Sequence, residues 1–151
     1  GVINDPGKRY YVHRPQDFIL NEGVSEALQA WQDADYLLIV ISNQGGISKG
    51  YYRCEDADRV HRYMEEMLAG AGIYLSAIYY CPHHHQEEKC LCRKPLPLLL
   101  EKAMARFDID PEDAWFIGDS KRDEEAGRAA GVHTVRIKKN QDLRTLLEKI
   151  S

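Results

Sequence analysis

The stretch YLLIVISNQGGI, Tyr36 to Ile47, decides the fold. Tyr36-Leu37-Leu38-Ile39-Val40-Ile41 is an unbroken apolar run of one strand's length. Without polar alternation, such a run suits a parallel strand buried on both faces. It ends in a hydroxyl, two amides and two glycines, Ser42-Asn43-Gln44-Gly45-Gly46. Backbone N–H groups of a glycine turn can cradle a phosphate, and Ser42 adds a hydroxyl donor. An ordinary glycine turn looks the same, so the stretch takes its meaning from its neighbours.

Upstream, Val24 to Trp31 carries apolar residues at helical spacing. Downstream, Asp56 and Asp58 open a helix with Val60, Tyr63, Met64, Met67 and Leu68 on one side, and Gly70 and Gly72 stop it. Ala77–Tyr80 is the next strand. Leu100, Ala103, Met104 and Phe107 form another helical stripe, and Ala114–Ile117 a strand running into Gly118-Asp119. An alanine-rich helix closed by Gly131, a strand over Val132–Ile137 and a last helix marked by Leu143, Leu146, Leu147 and Ile150 complete the chain. Alternating strands and helices predict an α/β fold, a three-layer Rossmann-like parallel sheet with helices on both faces. Residues 1–151 read as a single domain. In such sheets ligands sit at the carboxyl ends of the strands.

Bulk composition narrows the partners. With 44% hydrophobic and 29% charged residues the chain reads as an ordinary globular protein. A formal net charge of -4 argues against a general nucleic-acid binder. It leaves room for a small anionic substrate held by a local basic cluster. No apolar run approaches membrane-spanning length and no signal peptide is visible. The expectation is a cytoplasmic monomer with neither nucleic-acid nor membrane partners.

Three of the four cysteines crowd into YYCPHHHQEEKCLCRKP, Tyr79 to Pro95. Cys81-Pro82-His83 and Cys90-Leu91-Cys92 are two short ligand pairs around a polar stretch. Three thiolates and one imidazole suit a closed, tetrahedral structural zinc site. His83, His84 and His85 compete for the nitrogen position; an accidental cluster or a redox pair is the bland alternative. Cys54 stands apart as a plain, partly buried thiol.

Arg93-Lys94-Pro95 follows at once, and a metal-locked loop would point both cations in a fixed direction, as oxyanion binding needs. A solvated basic pair is the alternative. FIGDSKRD, Phe116 to Asp123, ends a strand with Asp119 and Asp123 four residues apart. A carboxylate at Asp119 suits Mg²⁺, and Asp123 suits fixing Lys94 or positioning the ion; Asp119 would otherwise be a helix N-cap. A hydroxyl, a lysine and a carboxylate at successive strand ends are what phosphoryl transfer needs: positioning and charge stabilisation.

These residues together resemble the haloacid dehalogenase superfamily, in the branch of D-glycero-D-manno-heptose 1,7-bisphosphate and histidinol-phosphate phosphatases. Ser42 in ISNQGGI is similar to the family's second motif, Lys94 in RKP to the third, and Asp119 with Asp123 in GDSKRD to the fourth. CPHHHQEEKCLCRKP resembles the zinc loop of this branch, which stands where larger relatives carry cap domains. The resemblance implies zinc ligands Cys81, His83, Cys90 and Cys92, phosphoryl contacts from Ser42 and Lys94, and Mg²⁺ on Asp119. It also implies substrate contacts from Asn43, Gln44 and Arg93. The activity implied is Mg²⁺-dependent hydrolysis of a sugar phosphate in carbohydrate metabolism, through an aspartyl-phosphate. Histidinol phosphate is the alternative substrate, and a catalytically inactive sugar-phosphate binding protein the alternative function.

The chain departs from the family pattern in places. Gly1-Val2-Ile3-Asn4 looks like the tail of the nucleophile motif Asp-Arg-Asp-Gly, which places both aspartates and their strand ahead of Gly1. Without that strand two sheet edges would lack partners, so the chain is expected to be a piece of a longer protein. Ser120 stands where lysine is frequent, Lys49 where arginine is common, and Leu98-Leu99 where Gly-Met is usual. These positions bear on substrate identity more than on reaction type. Two other readings carry less: a zinc-ribbon nucleic-acid module conflicts with the acidic balance, and a phospho-accepting receiver domain has no use for a zinc loop.

Overall fold

The computed structural model describes residues 2–4, 14–44, 46–83 and 90–150. Gly1, Gly45, His84 and His85 lie outside the described residues. Among those described, four helices and four strands alternate: α1 Val24–Asp33, β1 Ile39–Asn43, α2 Cys54–Gly70, β2 Ala77–Cys81, α3 Leu98–Phe107, β3 Trp115–Gly118, α4 Lys121–Ala130 and β4 His133–Arg136. β1 hydrogen-bonds to β2, and β3 to β4. Two compact units divide the chain, residues 1–40, 53–78 and 140–151 in the first and 41–52 and 79–139 in the second.

In the first unit α1 and α2 supply the apolar faces that their periodicity predicts. Val24, Ala27, Leu28 and Trp31 of α1 are buried, as are Ala57, Val60, Met64 and Leu68 of α2. Each such large side chain contributes about 1.5–3 kcal/mol by leaving water. The Trp31 indole N–H donates to the Ile150 carbonyl at 2.8 Å, which satisfies both polar groups in a buried setting. Phe18 meets Tyr63 of α2 edge-on, with ring centroids 6.3 Å apart. Buried Asn21 ties the early chain down, donating from Nδ2 to the Val2 carbonyl at 3.1 Å and to Asn140 Oδ1 at 3.3 Å. Gly23 starts α1 at φ 79°, where a Cβ would collide with the Asp142 carboxylate.

Two expectations need correction. The last helix is a single 3-10 turn, Leu143–Leu146. Asp142 caps it by accepting the Arg144 N–H at 2.9 Å, and Leu147 N–H closes back on the Arg144 carbonyl at 3.2 Å. The expected segment is too short to sustain an α-helix by itself, but Leu143, Leu146 and Ile150 still bury at the predicted spacing. The first strand starts late, at Ile39, and its residues are half-buried, with Leu37 exposed before it. Among the described residues β1 pairs with β2 alone, so the burial on both faces read from the apolar run is not reached.

In the second unit β3 and β4 run parallel, with Trp115 opposite His133 and Gly118 opposite Arg136. The α4 helix joins them and packs on both strands and on α3, the β–α–β arrangement that alternating elements predict. Ser120 is the N-cap of α4: its Oγ accepts the Asp123 N–H at 3.2 Å, and Asp123 Oδ2 accepts the Ser120 N–H at 3.2 Å. That removes the N-cap alternative for Asp119. Gly131 closes α4 in the left-handed region at φ 80°.

Candidate active site and metal centre

All the candidate residues fall in the second unit, at or just beyond the carboxyl ends of β1, β2 and β3. At the end of β1 the side chains are tied to one another. Gln44 Nε2 donates to Ser42 Oγ at 3.1 Å, and the hydroxyl of buried Tyr52 donates to Gln44 Oε1. The tyrosine thereby fixes which way the Gln44 amide faces. Ser42 accepts the Gln44 hydrogen bond on its oxygen and donates its own O–H to the Asn43 carbonyl at 3.4 Å. The backbone beyond is pinned as well: Gln44 N–H donates to the Cys81 carbonyl at 2.6 Å and Ser48 N–H to that of Pro82 at 3.2 Å.

The end of β2 begins the metal centre. Ligand atoms of Cys81, His83, Cys90 and Cys92 all lie within 4.8 Å of one another. Cys81 Sγ is 3.6 Å from both Cys90 Sγ and His83 Nδ1, and Cys92 Sγ is 3.6 Å from His83 Nδ1. A tetrahedral zinc site with Zn–S bonds of about 2.3 Å has edges of about 3.8 Å, so the donor set fits the ion in number and type, and the three 3.6 Å edges fit it in spacing. The Cys81–Cys92 edge is shorter, at 2.8 Å. Burial pushes the Cys81 thiol up, and its hydrogen bond with Cys92 adds to the effect. Cys92 is raised by burial too. At Cys90 burial also opposes ionisation, but the Arg93 backbone and the neighbouring thiols outweigh it and bring the group down to about 7. Buried thiols of this kind hold a common negative charge only when a cation offsets it.

The basic pair leaves this centre directly. Arg93 turns its guanidinium back, donating to the His83 carbonyl at 3.0 Å. Lys94 points its ammonium at Asp123 Oδ1, with the two side chains 11% and 8% exposed, and lies 5.8 Å from the Phe116 ring centre. Asp123 Oδ2 accepts the Asp119 N–H at 3.0 Å as well as that of Ser120. Burial would raise the Asp123 carboxyl, but the Lys94 charge and these hydrogen bonds hold it below its ordinary value. Gly118 makes this approach possible, since a Cβ there would collide with Asp123. Asp119 itself is half-buried at the end of β3, a hard oxygen donor suited to Mg²⁺.

The predicted residues therefore assemble into two linked groups. Cys81, His83, Cys90 and Cys92 form one. Asn43, Lys94, Asp123 and the Asp119 backbone form the other, with Asn43 bonded to the Lys94 main chain at 3.1 and 3.4 Å. Ser42 joins the second group through Asn43, its neighbour in β1. Tyr52 escaped the sequence reading; a tyrosine in a turn carries no signal until its partner Gln44 is known. Among the described residues no helix is long and apolar enough to cross a membrane.

Lys94, in the loop before α3, thus meets Asp123 of α4 and the main chain of Asp119 just beyond β3, a placement that resembles the site of a HAD-like hydrolase. A HAD-hydrolase-like family model matches residues 91–151. The chain is 38% identical to the D-glycero-beta-D-manno-heptose-1,7-bisphosphate 7-phosphatase of Haemophilus ducreyi, over 82% of this chain and 71% of that protein. It is 38% identical to the D-glycero-alpha-D-manno-heptose-1,7-bisphosphate 7-phosphatase of Campylobacter jejuni, over 89% and 76% respectively. The crystal structure of D,D-heptose 1,7-bisphosphate phosphatase from B. bronchiseptica, complexed with magnesium and phosphate, superimposes with a TM-score of 0.85 at 30% identity, covering 99% of this chain and 82% of that one. The chain belongs to the haloacid dehalogenase superfamily of phosphatases, in the family of the heptose 1,7-bisphosphate phosphatases.

Proposed function

We propose that the protein hydrolyses one phosphate ester of D-glycero-D-manno-heptose 1,7-bisphosphate. Supporting this reading are relatives named for that reaction on either anomer and a site whose polar groups suit a phosphoryl group. The observation that carries it is the pairing of Lys94 with Asp123, whose other oxygen holds the Asp119 backbone. A nearly buried ammonium is thereby fixed on the carboxylate that also holds the Asp119 main chain, and positioned charge of this kind is what phosphoryl transfer exploits.

In this reading Ser42 O–H and Lys94 Nζ take phosphoryl oxygens, and Asp123 keeps the ammonium aimed while it does so. Gln44 is read on the substrate side together with Asn43 and Arg93, although in this structure Asn43 grips the Lys94 main chain and Arg93 donates to the His83 carbonyl. In the reaction proposed, an aspartate nucleophile attacks phosphorus, the P–O bond to the sugar breaks, and a second aspartate protonates the departing oxygen. Water then cleaves the aspartyl-phosphate, which releases inorganic phosphate and restores the carboxylate. Asp119 would hold Mg²⁺, which when bound offsets charge on the phosphoryl oxygens. Cys81, His83, Cys90 and Cys92 would hold a structural zinc, in a loop that stands in place of a cap domain. The same proposal takes the chain as one phosphatase domain with a three-layer parallel sheet, acting as a cytoplasmic monomer.

The test is phosphate release by the full-length protein with Mg²⁺, from both anomers of the bisphosphate and from histidinol phosphate. The expected result is one equivalent of phosphate per bisphosphate, abolished by chelation of the metal. Cleavage of histidinol phosphate alone, or Mg²⁺-independent binding without cleavage, would overturn the reading.

A further inference from the structure

Asn43 follows Ser42 at the last position of β1. Its side chain engages the main chain of a single distant residue with both of its polar atoms. Oδ1 accepts the Lys94 N–H at 3.1 Å, and Nδ2 donates to the Lys94 carbonyl at 3.4 Å. Lys94 belongs to no strand, and the residue after it, Pro95, has no N–H to offer a neighbour. Part-buried backbone groups in such a segment need partners, and a planar amide is the neutral side chain that supplies a donor and an acceptor together. At the other end of the same residue, Lys94 Nζ sits on Asp123.

We propose that Asn43 is a positioning residue for Lys94: it fixes the lysine's main chain to the end of β1, while Asp123 fixes its ammonium. The proposal rests on the reading of Lys94 as a phosphoryl-binding group. It departs from the expectation that Asn43 serves by touching the substrate. A flexible four-carbon stem held at one end alone sweeps a wide arc; held at both ends it presents a charge at one place. Asn43 therefore acts through Lys94, and its removal matters only while Lys94 is present.

A double-mutant cycle tests this in the full-length protein, with Asn43→Ala, Lys94→Ala and the double variant. Two probes are read: binding of inorganic phosphate with Mg²⁺ by calorimetry, and turnover of p-nitrophenyl phosphate, which carries no sugar. Asn43→Ala is expected to weaken phosphate binding and to lower kcat about tenfold or more, the scale of an ångström-sized misplacement. In the Lys94→Ala background the same change is expected to cost less than about twofold. Equal costs in both backgrounds would overturn the proposal. So would a loss confined to heptose bisphosphate with both small probes unchanged, which would put Asn43 on the sugar. If Asn43→Ala does not fold, Asn43→Gln keeps the amide on a longer stem, and the same non-additivity is expected. Phosphate binding that obeys the cycle without cleavage of heptose bisphosphate would sink the functional reading alone. No phosphate binding by the unaltered protein would overturn both.

Discussion

The metal centre and the lysine–aspartate cluster both lie in the 79–139 stretch of the chain, yet they are held together in different ways. In the lysine–aspartate cluster opposite charges meet: Lys94 and Asp123 neutralise each other, and the remaining carboxylate oxygen takes two backbone N–H groups. Among Cys81, Cys90 and Cys92 like groups meet, with two of the three thiols pushed up by burial. The first arrangement is complete from protein atoms. The second suits an external cation, which would offset the repulsion among three thiolates in one place. A self-satisfied charge pair needs nothing more to hold Lys94 in place, whereas a metal on the thiols, as proposed, would fix the loop from which Arg93 and Lys94 leave.

The largest way to break this comparison is to remove a thiol. Cys90→Ser is expected to lose zinc in metal analysis. It should also lower the melting temperature by about 10 °C or more, since a structural zinc supplies several kcal/mol of folding free energy. Unchanged zinc content and melting temperature would contradict the closed-site reading.

A smaller effect sharpens the other half. The Asp123 carboxyl titrates below its ordinary value of 3.8 in the folded protein. A depressed carboxyl contributes stability that is fully present above the unfolded value and is lost as pH falls through the folded value. Stability should therefore fall on acidification from about pH 4 downward. Asp123→Asn should flatten that part of the profile and lower stability at neutral pH by leaving Lys94 without its counter-charge. An acid limb identical in both proteins would mean that the pair contributes nothing to folding.

Much of the site was legible because its chemistry is spelled by residue type. Thiols and an imidazole at Cys81, His83, Cys90 and Cys92 read as metal ligands by number and spacing, and their donor atoms come within 4.8 Å of one another. Aspartate after an apolar run announces a strand-end carboxylate, as at Asp119. Helical faces were nearly as plain: Val24, Ala27, Leu28 and Trp31 bury, as do Val60, Met64 and Leu68, while Tyr63, expected on the same side, is exposed. What stayed hidden depends on partners far apart in the chain. Asn43 and Lys94 are 51 positions apart, and nothing local distinguishes an amide that grips backbone from one that meets a substrate. Tyr52 is hidden for the same reason. The end of the chain misled because apolar spacing at Leu143, Leu146 and Ile150 is shared by α- and 3-10 turns, and the backbone bonds from Thr145 N–H to the Asp142 carbonyl and from Leu147 N–H to the Arg144 carbonyl, each at 3.2 Å, decided between them.

The measurement that bears most directly on the central claim is phosphate release from heptose 1,7-bisphosphate by the full-length protein and by Lys94→Met, side by side. Loss of one preorganised donor at a developing oxyanion costs about 10²–10³ in kcat, so the variant should turn over at least about a hundredfold more slowly, the lower end of that range. Equal rates in the two proteins would contradict the account, for the lysine that the metal centre, Asn43 and Asp123 combine to hold would then have no part in the reaction.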